Sequence, residues 1–138
     1  MENPPLKILR IVDANLNRCR EGLRVLEDTA RFLWNEEKRF LEFRKFRHQV
    51  DALTRDWYKF LVESRSSLDD AGRTIKEEKR ADTDAIVFAN FRRCEVSLRV
   101  LEEYGKIFSS TWSQNFKAIR FALYTLEKKT VQKIYEKR

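Results

Sequence analysis

Apolar residues return every three or four positions from Leu6 to Trp34 (Ile8, Ile11, Val12, Cys19, Leu23, Leu26, Leu33), uninterrupted by proline, which predicts one long helix. Asn35 followed by Glu36 and Glu37 supplies a side-chain acceptor and then acid for a helix's positive first turn, so a second helix is expected there, bearing Phe40, Leu41, Phe43, Phe46, Val50, Leu53, Trp57, Phe60 and Leu61. The periodicity breaks between Glu63 and Glu78, where serines, Asp69, Asp70 and Gly72 mark a long loop. Thr74 and Glu77 have capping-box spacing, and Ile86, Val87, Phe91, Leu98, Leu101 and Ile107 continue a third helix to about Phe108. The turn "SSTWS" then precedes a fourth helix with Phe116, Ile119, Leu123, Leu126, Val131 and Ile134.

The helices are written in pairs. At a shift of 75 positions, Ile11–Arg31 and Ile86–Lys106 agree at 11 of 21 positions, and "FRKFRHQVDAL" from Phe43 echoes "FKAIRFALYTL" from Phe116. The expected fold is therefore all-α: a four-helix bundle of two pseudo-symmetric hairpins in a single domain, residues 1–138, with repeat halves at about 6–62 and 79–136 and a loop at about 63–78.

Within the repeated phrase, at about 100° per residue, Ile11, Cys19, Gly22, Leu26 and Leu33 fall within about 40° of Asn15, and Arg18 lies about 60° away. Asn90 and Arg93 stand likewise among Val87, Cys94, Ser97 and Leu101. The arc predicts that both amides and both guanidiniums point inward, where an arginine needs a carboxylate, carbonyls or a bound anion. A protein-only polar brace and a phosphate-lined pocket are both compatible with this. Arg24/Glu27 and Arg99/Glu102, at i,i+3 spacing on the other side of their helices, read first as surface ion pairs.

Composition narrows the function classes. The 29 Lys+Arg against 22 Asp+Glu give a net charge of +7, which concentrates anions of any kind. The start "MENPPLKILR" lacks a secretory pattern and no stretch approaches 18 apolar residues, so a cytoplasmic protein without a membrane partner is expected. The two cysteines, Cys19 and Cys94, lack zinc-ligand spacing. No GxxxxGK[ST] loop, GxGxxG turn or kinase signature is present. Asp69 and Asp70 next to Gly72, with Arg65 before and Arg80 and Asp82 after, have the chemistry for hydrated Mg²⁺ with a nucleotide, although acid pairs in loops are usually only solvated. His48 has no nucleophile at a telling spacing, and the run Phe40, Phe43, Phe46, Trp57, Tyr58, Phe60 reads first as core.

The stretches "RIVDANLNRCREGLRVLEDTARF", "RKFRH", "AGRT", "EEKRAD" and "ANFRRCEVSLRVLEEYGK" resemble the small monofunctional hydroxymethylpyrimidine phosphate kinases of thiamine biosynthesis, which also occur fused ahead of thiamine phosphate synthase. The resemblance runs from about Leu6 to about Leu126. It implies transfer of a phosphoryl group from ATP, with Mg²⁺, to 4-amino-5-hydroxymethyl-2-methylpyrimidine phosphate. Positions carried by the motifs are Asp13, Asn15, Arg18, Glu21, Arg24, Glu27, Arg47 and His48, then Asp70, Gly72, Arg80, Asp82, Asn90, Arg93, Arg99, Glu102 and Lys106. The loop departs from the family pattern: Ser66 and Ser67 follow Arg65 where Arg-Asp-Thr is expected, and Ala71 replaces a valine. On this reading Arg18 and Arg93 clamp phosphate and Asp13, Asp70 or Asp82 bears on the metal. Asn15 or Asn90 meets the substrate, Glu21, Arg24, Arg47, Arg80, Arg99 and Glu102 contribute to binding, and His48 is optional because a phosphate acceptor is already ionised. The rival readings are a basic helical nucleic-acid binder, poorly supported because acids interleave the bases on every helix, and a non-enzymatic assembly module. Oligomeric state is left open, a homo-oligomer included.

Overall fold

The structure is a computed structural model describing residues 5–107 and 109–137. The described residues form helices and connecting turns with no strand: α1 (Leu6–Asp28), α2 (Glu37–Thr54), a short α3 (Tyr58–Glu63), α4 (Thr83–Gly105) and α5 (Ser110–Glu136). α1 and α4 make the central pair, α2 lies against α1 and α5 against α4, and α2 touches α5 lightly. Cys94 Sγ–H reaches the Cys19 carbonyl at 3.5 Å, Arg93 meets Glu21 and Asn90 lies by Gly22, so α1 and α4 run antiparallel. Cys19 and Cys94 are equivalent positions of the repeat. Their meeting puts the pseudo-two-fold axis at that crossing.

Of the positions expected from the periodicity, Leu23, Leu26, Phe43, Val50, Phe91, Leu98, Leu101, Phe116 and Leu123 are buried, with Phe43 edge-on to Phe91 at 5.6 Å. Leu9 and Leu16 join this core without having been expected there, whereas Leu41 and Ile107 are exposed, on sides of the chain that no neighbouring helix covers. Trp112 stacks on Trp57, and its indole N–H donates to the Leu53 carbonyl at 3.0 Å, fastening α5 to the end of α2. Tyr58 and Phe60 are exposed, so the aromatic run is core only in part.

Several boundaries differ from the expectation. α1 ends in a π turn, Thr29–Leu33, whose extra residue rotates the register and leaves Leu33 63% exposed instead of inward. Asn35 does not cap α2: it has φ 51°, a left-handed conformation that asparagine tolerates, and the Trp34 and Glu36 N–H groups reach back to the carbonyls of Thr29 and Ala30. The third long helix starts at Thr83, not Thr74. Leu68 and Ile75 are 80% and 70% exposed, so the segment has no buried apolar face to sustain a helix, and a capping box without one does not nucleate. The cap is Asp82, whose carboxylate accepts the Ala85 N–H at 2.8 Å. α4 stops at Gly105, and the expected end at Phe108 lies outside the described residues. Ser109 caps α5 as expected, accepting from Trp112 N–H.

The repeated "LRVLE" holds each hairpin shut. Glu27 is 2% exposed and receives Arg47 through Nε at 2.8 Å and a terminal nitrogen at 3.2 Å; Glu102, 5% exposed, receives Arg120 at 3.0 and 2.9 Å. These carboxylates are not members of surface pairs. Arg24 and Arg99 are the exposed partners, 3.9 and 3.3 Å from the same acids.

Between α4 and α5, the Glu95 carboxyl is buried beside Glu127, and one of its oxygens is without a hydrogen-bond partner. Burial and the neighbouring Glu127 push it up to about 8 against the weaker pull of Arg92. The folded state therefore holds a proton that the unfolded chain releases near pH 4.5. Its stabilisation is complete below that value and is lost as pH rises through 8. Melting temperature should fall between pH 6 and 9, and Glu95→Gln should flatten the fall; parallel curves for the two chains would refute this.

Candidate functional site

Asp13 to Arg18 form one turn of α1 bordered by two depressions. The first is a groove of about 600 Å³ over the α1–α4 crossing, lined by Asn15, Arg18, Arg80, Arg92 and Arg93 with Glu78, and with Ala89, Val96, Ser97 and Val100 beneath. The expectation that Arg18 and Arg93 point inward is overturned: both are exposed, because their offset from the buried arc leaves them at the rim. Asn15 is buried, and Asn15 and Asn90 each donate to their own helix, at Ile11 and Ile86, while the Asn15 amide oxygen accepts from Arg18 at 3.4 Å. Arg93 lies 3.3 Å from Glu21, which pairs there instead of standing free.

The second depression, about 320 Å³, lies between α1 and the segment after α3. Asp13, 5% exposed, is gripped through both oxygens by Arg65 at 2.7 and 3.1 Å, which raises the guanidinium's pKa above its ordinary value. Arg10 donates to the Ser66 carbonyl at 2.8 Å, pinning the same segment. Asn17 continues the chain, donating to Asp13 at 3.5 Å and accepting from Arg20 at 2.7 Å, while Arg20 reaches Asp51 of α2 at 2.6 Å. Ser66 donates to Asp69, and Asp70, at the rim, accepts the Gly72 N–H at 2.8 Å.

The remaining expected site residues are dispersed. His48 is exposed on α2 and lines neither depression. Arg47 and Glu102 are engaged in the hairpin clasps, and Arg24 and Arg99 lie on the outer side of those acids. Asp70 and Asp82 are not brought together, since Asp82 caps α4, and the described residues hold no group of three or more His, Cys, Asp or Glu able to ligate a metal ion. Magnesium still fits Asp70, because that ion needs only one or two carboxylates beside water and phosphate oxygens.

Asn17, Arg10 and Arg92 were not singled out in the sequence, for a traceable reason. A search for residues kept in both repeats discards them: Asp13 and Asn17 correspond to Phe88 and Arg92. At the position equivalent to Asp13, Phe88 stacks on Tyr135 with centroids 6.4 Å apart. The signal available was the recurrence of Asp13, Asn17 and Arg20 on one face of α1.

Residues 10–129 match the model of the ThiD2 family. The chain belongs to the ThiD2 family. Its relatives include proteins named thiamine-phosphate synthase from Rhodopirellula baltica, 39% identical over 121 residues, and from Synechococcus sp. strain CC9605, 38% identical over 124 residues. A third, from Nostoc punctiforme, is 38% identical over 124 residues. The alignments take in 85%, 88% and 87% of this ThiD2 chain but only 32%, 34% and 34% of those proteins, so the chain spans about a third of the length of the curated relatives it matches. No solved structure matches. Among the described residues of this ThiD2 chain, no helix is long and apolar enough to cross a membrane.

Proposed function

We propose that this ThiD2 chain phosphorylates 4-amino-5-hydroxymethyl-2-methylpyrimidine phosphate to the diphosphate with ATP and Mg²⁺, as a step of thiamine biosynthesis. The observation that carries the reading is the pair of depressions on one turn of α1: one rich in guanidinium groups, the other offering carboxylates, hydroxyls and an amide. Phosphoryl transfer needs alignment and positive charge on the migrating group's oxygens more than covalent work. Arg18 and Arg93, two pseudo-symmetric guanidiniums on one groove, supply that charge from both sides of the crossing. The Asn15 and Asn90 amide groups, held by their own helices, are preset instead of free to rotate. Magnesium, when bound, would neutralise phosphate charge, and Asp70 is the carboxylate placed to hold it; Asp13 is engaged by Arg65. The acceptor is a phosphate oxygen already ionised near neutrality, so no general base is required and exposed His48 has no proton to remove.

An ADP-release assay with Mg·ATP tests this using the phosphorylated pyrimidine, its unphosphorylated alcohol, and no acceptor. Turnover is expected with the phosphorylated acceptor alone. Arg18→Ala and Arg93→Ala should each lower kcat/KM by about 10²–10³, with melting temperature unchanged because both side chains are exposed. ADP release indifferent to the acceptor would remove the proposal.

A further inference from the structure

The two depressions differ in charge. Arg18, Arg80, Arg92 and Arg93 face a common space against the single lining acid Glu78, and Arg80 and Arg92 are in no ion pair among the described residues. In the second depression, Arg10 and Arg65 are matched by Asp13 and Asp70, and its free surface is polar without a net sign. A groove of four guanidiniums suits three or more linked phosphates, which can take several forked hydrogen bonds at once. A balanced pocket with hydroxyls, an amide and a carboxylate suits a polar heterocycle carrying one phosphate. The volumes, about 600 and 320 Å³, order the same way.

The two repeats contribute unequally: α4 supplies most of the groove's lining and α1 gives Asn15 and Arg18, with Arg18 and Arg93 at equivalent positions of the repeat. In the second depression the position of Asp13 is likewise particular to the first repeat, its equivalent Phe88 being stacked on Tyr135. Ala14 lines the second depression and Arg18 the groove. They are one turn apart and about 40° apart around α1, so the two depressions border the same stretch of the helix.

We infer that the arginine groove is the polyphosphate subsite, taking the triphosphate of a nucleotide through Arg18, Arg80, Arg92 and Arg93, and that the depression of Asp13, Asn17, Arg65 and Ser66 is a separate subsite for a monophosphorylated acceptor. The assignment rests on the kinase reading for the identity of the acceptor but not for the groove's ligand class. It adds Arg92 and Asn17, which the repeat obscured, and Arg65 of the loop to the residues that discriminate substrates.

Calorimetric titration of the full chain with inorganic tripolyphosphate, with Mg·ATP, and with the pyrimidine monophosphate tests it. Arg80→Gln/Arg92→Gln should weaken tripolyphosphate and ATP about tenfold or more and change monophosphate affinity less than about twofold. Arg65→Gln should do the reverse. Circular dichroism melting controls for folding, and the first pair is exposed, so its melting curve should be unaltered. Equal weakening of both ligands by either substitution, or ATP binding indifferent to Arg80 and Arg92, overturns the assignment even if phosphoryl transfer is seen. Loss of tripolyphosphate binding in the double variant sustains it even if no transfer to the pyrimidine occurs, in which case only the kinase reading falls. Binding of a single-stranded oligonucleotide more tightly than tripolyphosphate would also overturn it.

Discussion

Arg47→Ala should cost about 3 kcal/mol and lower the melting temperature by about 10 °C. The reason is what the substitution leaves behind: Glu27, 2% exposed, loses both hydrogen bonds, and the nearest replacement cation, Arg24, is 3.9 Å away on the surface. A buried carboxylate without its partner is worse than no carboxylate, so Arg47→Ala/Glu27→Ala should be more stable than Arg47→Ala alone. The second hairpin offers an internal comparison. Arg120→Ala strips Glu102 in the same way, but Arg99 is already 3.3 Å from that acid and can take over part of the pairing, so the loss should be smaller. Thermal or urea unfolding of the four chains measures both orderings. A double variant less stable than the single, or equal losses at Arg47 and Arg120, would mean the clasps are ordinary surface pairs.

Gly22→Leu should be the most damaging single enlargement on the central pair, on the order of 3 kcal/mol or more. A Cβ at this position would stand 2.6 Å from Cys94 Sγ and 3.2 Å from the Asn90 carbonyl, at the point where α1 and α4 cross. Cys94 is wholly buried, so its sulfur has nowhere to retreat. Gly22→Ala should be milder: the better helix propensity of alanine returns about 1 kcal/mol against the same crowding. Cys94→Ala removes the nearest obstacle, and Gly22→Ala/Cys94→Ala should recover stability relative to the sum of the two single changes. Strict additivity in denaturant melts would show that the helices simply move apart. Because the groove of Arg18 and Arg93 spans this crossing, a shift there should also weaken tripolyphosphate binding.

Much of the fold was legible because helices announce themselves through local periodicity. The spacing of Val12, Cys19, Leu23 and Leu26, and of Phe91, Leu98 and Leu101, names the buried faces, and the 75-residue repeat pairs the hairpins. The boundaries were less legible where local and tertiary terms compete: the Thr74/Glu77 box is a sound local signal, yet α4 waits until Thr83 because nothing apolar nearby can dock. Wheel arithmetic also misplaced the arginines, since a long side chain 60° from the buried arc can carry its charged end to water.

The sequence by itself determined the class of fold, the internal duplication, the basic balance and the family, since these depend on composition, period and a long specific phrase. Only the tertiary structure decided which polar residues meet. Arg47 with Glu27, Arg65 with Asp13 and Arg93 with Glu21 lie 20, 52 and 72 positions apart. No local spacing encodes such pairings; they exist because helix packing brings distant turns together, and a buried charge must then find whatever partner that packing supplies.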